Sequence, residues 1–296
     1  MEAPGPRSAP ELVSVIVPVR NEERYLGAQF AALAAQTYRG AWEVVVVDNG
    51  CTDGSMAVVE EWRRSLPEVV VVDASSRRGL NWARNAGASA ARGEFLAFCD
   101  ADDVVAPGWL DELVEAAAGA DLVGGRLEHH SLNDPLRLAW RPTERVSGFS
   151  VYHDFLPSVP GGNCGVWATV AERVGWDPGY TFGGSDIEFA WRAQVAGYRV
   201  LHAPGAVVSV RFRRRLHQHA WQWFLYAAAG PRLFRRFRAD GMARSDPREA
   251  LADWGWILAH ATYLLGPSER RGYWMRNAAW RLGRLAGSLR YRVVFL

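Results

Sequence analysis

The sequence predicts an α/β fold: a Rossmann-like, mostly parallel sheet with helices on both faces, followed by a helical extension. Three observations lead there. Short β-branched runs alternate with helical segments through the first hundred residues, the pattern of a parallel sheet with crossover helices. Those runs are continuously apolar, as in strands buried on both faces. Past Leu216 the chain becomes helical throughout and rich in Trp and Arg. The 296 residues therefore divide into a loose tail (1–11), an α/β domain (12–215) and an extension (216–296).

The elements follow in order. LVSVIVPV (12–19) is a buried strand, and a helix starting near Glu22 carries Leu26, Phe30 and Leu33 at helical spacing. WEVVVVDNG (42–50) is a second strand, broken at Asn49-Gly50; 55–66 is a helix and 69–74 a third strand. Residues 79–93 form a helix stopped by Gly93, and EFLAFCD (94–100) is a fourth strand. GWLDELVEAAAG (108–119) is a helix and ADLVGGRLEHH (120–130) a strand. Residues 131–165, with Pro135, Pro142, Pro157 and Pro160, read as irregular, and a long irregular stretch in a compact domain is usually functional. GVWATVAERVGW (165–176) and SDIEFAWRAQVAG (185–197) read as helices, and 198–213 as strand.

Composition narrows the function classes. Hydrophobic residues make up 49% of the chain, which excludes general disorder. No run approaches 18 apolar residues, so no transmembrane helix is expected. MEAPGPRSAP lacks the apolar segment of a signal peptide. Cys51, Cys99 and Cys164 lie far apart, without zinc spacing, and fit reduced thiols of a cytoplasmic protein. All 34 basic residues are Arg, a codon-composition effect before a functional one. From Val207 onward 17 Arg face 5 acids, whereas the first 206 residues hold 17 Arg and 27 acids. Such a split points to two regions with different partners. No nucleic-acid motif accompanies the basic region, so a nucleic-acid partner is not expected.

The fourth strand ends in Asp100, Asp102 and Asp103. Unpaired, such carboxylates raise one another's pKa. Ligands of open α/β sheets sit beyond the carboxyl ends of the strands, which gathers Pro18 to Glu22, Asp48 to Asp53 and Asp100 to Asp103 along one rim. A divalent cation, Mn²⁺ or Mg²⁺, removes the repulsion and takes its remaining ligands from phosphate oxygens. The plainer reading is a solvated turn before Pro107.

VSVIVPVRNEERYL, VVVVDNGCTDGS, GLNWARNAGASAARGEFLAFCDADD and GGSDIEFAWRAQVAGYRV occur in that order. Together they resemble a family 2 glycosyltransferase with the GT-A fold, over roughly 12 to 213. The resemblance implies that Pro18, Arg20, Glu22 and Asp48 hold the nucleoside, with Asp48 on the base edge, and that Arg84 and Asn85 flank the nucleotide. It makes Asp102 the first metal ligand and places Asp100 on ribose or metal. PGGNCGVW matches a segment near the donor sugar, with Gly162 and Asn163 as contacts. Asp186 matches the base that takes a proton from the acceptor hydroxyl. The implied reaction is one displacement with inversion, from a nucleotide-diphosphate sugar donor to an acceptor the sequence does not identify.

Two departures stand out. Ser185 replaces the Glu that usually precedes the base. Ser209 or Val210 stands near the place where many members carry a metal-binding His. Arg211 and Arg213 instead offer bidentate contacts to the diphosphate. His217 and His219 do not share a helical face and make a poor metal pair. In the tail, Leu282, Leu285 and Leu289 alternate with Arg281, Arg284 and Arg290. That pattern fits a helix lying in an anionic membrane surface, peripheral on its inner face. It equally fits a helix packed on the domain with a solvated Arg face. The tail is similar to those of some actinobacterial members that build cell-surface or secondary-metabolite glycans. The rival readings are a nucleotidyltransferase and a non-catalytic sugar-nucleotide-binding protein.

Overall fold

A computed structural model describes residues 7–141, 150–152, 154–181 and 183–296. Its first half follows the expected alternation: β1 (Leu12–Val19), α1 (Glu23–Ala34), β2 (Ala41–Asp48), α2 (Ser55–Trp62), β3 (Val69–Asp73), α3 (Leu80–Ala90) and β4 (Phe95–Cys99). β1 pairs in parallel with β2 and β4, and β2 with β3. The carboxyl ends of these four strands therefore share one edge. Val13 to Val19 and Val44 to Val47 are buried, as continuous apolar runs require. α3 lies close on this layer because Gly87 faces Ile16 and Val47; a Cβ there would meet both side chains.

The second half adds β5 (Val104–Val105), α4 (Trp109–Ala117), β6 (Leu122–Glu128), α5 (Pro135–Trp140), β7 (Ser150–Val151), β8 (Pro157–Ser158), β9 (Asn163–Trp167), α6 (Ala168–Val174), α7 (Ser185–Val195) and β10 (Val200–Ser209). The main sheet runs β3-β2-β1-β4-β9-β6-β10-β5. β9 is antiparallel to both its neighbours, β4 and β6.

Two expectations need correction here. Gly165 to Trp167 are strand, not helix: the run is buried between β4 and β6, and Gly165 lies under the Phe95 ring. The helix starts only at Ala168. Within 131–165 the described residues also form regular elements, namely α5, β7, β8 and the start of β9. α5 is capped by Asp134, which accepts from the Arg137 N–H, with Pro135 in its first turn, where no donor is needed. Pro142 lies outside the described residues.

The extension comprises α8 (Leu216–Phe237), α9 (Pro247–Ala259) and α10 (Ser268–Tyr291). α10 approaches α8 closely because Gly283 and Gly287 face the carbonyls of Phe224 and Ala228. A second apolar core joins Leu233, Phe234, Phe237 and Phe295 to Tyr180 and to Trp191 of α7. The extension thus packs directly on the α/β layer. The solvated Arg face, one of the two readings of α10, holds at Arg290 but not at Arg281 and Arg284. Arg281 and Arg284 are 8% and 4% exposed, whereas Leu282 and Leu289 are 50% and 80% exposed. Arg281 is drawn inward by Asp253, and Arg284 by Tyr152 and the Leu296 carbonyl.

Candidate active site

The β1 and β2 loops are tied together before any ligand arrives. Asn21, in the left-handed region at φ 58°, accepts the Thr52 N–H, and the Glu22 N–H donates to Ser55 Oγ. Glu23 accepts the Gly54 N–H and donates its own N–H to Asp53. Pro18 is buried at the end of β1 and Arg20 is exposed at the rim. One oxygen of Asp48 accepts the N–H groups of Gly50 and Cys51, which shapes the Asp-Asn-Gly turn. A cleft of about 460 Å³ opens beside Asn21, Glu22, Tyr25 and Asp53.

The three carboxylates after β4 have different surroundings. Asp103 is buried and accepts the Arg211 N–H at 2.9 Å, so it anchors backbone. Arg211 Nε donates to the Asp102 carbonyl at 3.0 Å, and its guanidinium stacks on Tyr25. Asp102 is partly open, with Arg213 3.9 Å away. Asp100 Oδ1 lies 3.3 Å from Arg84, a buried guanidinium that stacks on Trp176. The turn itself is held by Gln29, which donates to the Asp100 carbonyl and accepts the Val105 N–H.

Crowding of like charge shows in the titration of the cluster. Burial, then the charge of Asp100, raises Asp102 above the usual carboxylate range. Burial, then Asp102, raises Asp103 to about 8. Glu22 rises to about 7 for the same two reasons, burial and Asp102. Such a cluster gains from a bound cation. Among the described residues no three His, Cys, Asp or Glu side chains are grouped to hold a metal ion. Asp102 and Asp100 therefore suit a hard cation that completes its shell from ligand oxygens and water.

Gly161 and Gly162 bridge the two halves of the site. A Cβ at Gly162 would strike the Asp100 carboxylate and one at Gly161 the Arg84 guanidinium. The Gly161 N–H donates to Asp186 Oδ2 at 3.4 Å. Asp186 thus sits across a glycine pair from Asp100, in the first turn of α7. Gly183 and Gly184 precede it at φ 66° and 68°, a conformation open to glycine without strain, and they pack on Tyr226, Ala229 and Leu233 of α8. Neither Ser185 nor Asp186 caps α7, whose cap position is Gly184.

Two expected contacts do not face a ligand. Asn163 is fully buried; it accepts from Trp109 Nε1 and donates to the carbonyls of Arg126 and Ala206. Its position in β9 turns it into the sheet. Asn85 spends both ends of its amide on the backbone of Trp176, fixing the loop that carries the Arg84-stacking ring. Ser209 donates to Glu128, His217 is exposed, and His219 is buried against Trp140. Sequence reasoning missed Gln29 and Tyr226. Gln29 had a signal, being a polar residue within the apolar face of α1. Tyr226 had none, since it arrives from α8. Its hydroxyl accepts from Gln222 Nε2, and it lies within electrostatic reach of Arg141, Asp186, Arg213 and Asp100.

The family described as "Glycosyl transferase family 2" matches residues 14–172. The glycosyltransferase AglE of Haloferax volcanii is 31% identical over 200 residues, 64% of each chain. The mannosyltransferase PcManGT from Pyrobaculum calidifontis, solved with GDP-Man and Mn²⁺, superposes with a TM-score of 0.60 at 23% identity, covering 96% of this chain and 89% of that one. S. aureus TarS 1–349, solved with UDP-GlcNAc, gives 0.52 at 18% identity, covering 96% and 93%. The matched segments span 64% or less of the length of these curated relatives.

Proposed function

The chain belongs to glycosyltransferase family 2, and from that premise we propose that it moves a sugar from a nucleotide-diphosphate donor to an acceptor hydroxyl, with inversion. The observation that carries the reading is the placement of Asp186 opposite Asp100 across Gly161-Gly162. One side is a carboxylate rim suited to a diphosphate and its cation; the other is the Asp186 carboxylate, held by the N–H groups of Gly161 and Ile187. The β1 and β2 loops, with Pro18, Arg20, Glu22 and Asp48, hold the nucleoside. Arg84 orients Asp100, and Arg211 and Arg213 offset charge as the diphosphate leaves. Asp186 takes the proton of the acceptor hydroxyl while that oxygen attacks the anomeric carbon opposite the leaving diphosphate. Asp102 and Asp100 would hold Mn²⁺ or Mg²⁺, which when bound supplies Lewis-acid neutralisation of the diphosphate.

The decisive experiment is titration with UDP, dTDP and GDP, with and without Mn²⁺, followed by turnover with the sugar donor of the nucleotide that binds. Release of nucleoside diphosphate fits glycosyl transfer. Release of pyrophosphate replaces it with nucleotidyl transfer, and tight binding without turnover across acceptors points to a binding protein.

We also propose that the enzyme works at an anionic membrane surface. No helix among the described residues is long and apolar enough to cross a membrane. Support for surface contact comes from exposed Leu258, Leu265 and Leu289, with Arg270, Arg290 and Arg292 exposed in the same extension. Co-sedimentation with phosphatidylserine vesicles, lost in Leu265→Asp/Leu289→Asp, is the expected result; equal binding by the variant removes this placement.

A further inference from the structure

We propose that Arg141 and Arg276 form an anion subsite that receives a phosphate group carried by the acceptor. The inference rests on the glycosyl-transfer reading and names the chemistry of its second substrate. Arg141 closes α5 and Arg276 lies within α10, far apart in sequence. They meet at Trp223 of α8: the Arg276 guanidinium carbon is 4.2 Å from that ring centroid and the Arg141 carbon 5.4 Å. Arg141 also stacks on Phe212 at 4.8 Å, one residue past the Arg211 that anchors Asp103.

Neither guanidinium has a carboxylate or hydrogen-bond partner among the described residues, and Arg276 Nε is buried without one. Other enclosed arginines are paired: Arg84 meets Asp100, Arg192 meets Glu188, Arg281 meets Asp253, and Arg284 meets the Tyr152 hydroxyl and the Leu296 carbonyl. Burial lowers the pKa of both Arg141 and Arg276, and the charge of Arg141 adds to the effect on Arg276. Two half-buried like charges beside one indole ring, without an acid among the described residues, call for a counter-anion. Two guanidinium forks beside one ring suit the oxygens of a phosphate dianion better than a single carboxylate.

Location assigns the phosphate to the acceptor. Tyr226 lies one helical turn along from Trp223 and is within electrostatic reach of Arg141 and Asp186, and also of Arg213 and Asp100. The backbone of Tyr226 packs on Gly183, three residues before the base. Through that contact the pair lies toward the turn that carries Asp186, and the diphosphate has cations of its own in Arg211 and Arg213.

The test is titration of the full chain with inorganic phosphate, first alone and then with saturating nucleoside diphosphate and Mn²⁺. Wild type should bind phosphate in both states. Arg141→Gln and Arg276→Gln should each weaken it roughly ten-fold or more, with nucleotide affinity unchanged. Arg276→Lys, which keeps the charge, should retain part of the binding even if a Gln variant fails to fold. In phosphate-free buffer the Gln variants should melt no lower than wild type, because an uncompensated buried charge has been removed. Phosphate binding that disappears once nucleotide is bound would assign the pair to the donor and overturn the proposal. So would wild-type phosphate affinity in the variants, or no phosphate binding at all. Arg-dependent phosphate binding in a chain that binds no nucleotide would instead sink the glycosyl-transfer reading and leave the subsite standing.

Discussion

At the scale of single residues, the two carboxylates on either side of Gly161-Gly162 should fail differently. Asp186→Asn keeps its size and its contact with the Gly161 N–H but cannot take a proton. Donor affinity should hold while turnover falls by about 10²–10⁴; normal turnover would remove the base assignment. Asp102→Ala should abolish the part of nucleotide binding that depends on Mn²⁺, which calorimetry with and without the ion reads directly. His219 makes a separate prediction about pH. Burial lowers its pKa to about 4 from 6.5. Its folded pKa is below its unfolded one, so its contribution is complete above pH 6.5 and is lost as pH falls toward 4. Urea unfolding should find that His219→Phe reduces the stability difference between pH 7 and pH 5 by about 2 kcal/mol. The acids after β4 and the acid opening α7 were legible because each belongs to a short local motif. Asn163 was misread because the direction of a strand side chain depends on its pairing partners. Arg141 and Tyr226 were not legible as site neighbours, because only the packing of α5 and α8 brings them there.

At the scale of elements, glycine decides how closely layers approach. Gly87→Ala should push α3 away from Ile16 and Val47 and cost about 1–3 kcal/mol in denaturant unfolding; an unchanged midpoint would show that the layer has slack. The first four strands and the helices between them were readable because each strand is a continuous β-branched run bounded by a turn. The boundary between β9 and α6 was not, because Gly-Val-Trp runs without punctuation into a helical pattern. α10 misled for a different reason. Its leucine spacing is that of a buried stripe, but Gly283 and Gly287 set the face that meets α8, and the leucines fall partly outside it.

At the scale of the whole molecule, the extension and the base helix stand or fall together. Trp191 of α7 meets Phe237 edge to face at 5.3 Å between centroids and donates Nε1–H to the Leu156 carbonyl. Trp191→Ala should lower stability by about 3–5 kcal/mol, and near its melting temperature it should lose turnover before nucleotide binding. Parallel loss of both would show that α7 and the nucleotide loops unfold as one. The charge split seen in the sequence acquires a location at this scale: the acidic half builds the carboxylate rim, and the basic half forms the extension packed on Tyr180 and Trp191.

β9 lies in the middle of the sheet although it is made late. β3, β2, β1 and β4 can pair as soon as Cys99 has been synthesised, but β9 begins only at Asn163. During elongation the outer edge of β4 therefore waits, with free N–H and carbonyl groups, for roughly sixty further residues. At about 5–20 residues per second that is roughly 3–13 s. An apolar strand left open for seconds is a template for pairing with another nascent chain. Yield of folded protein should accordingly depend on translation speed and on chaperone supply between these two strands, more than on any side chain of the finished site.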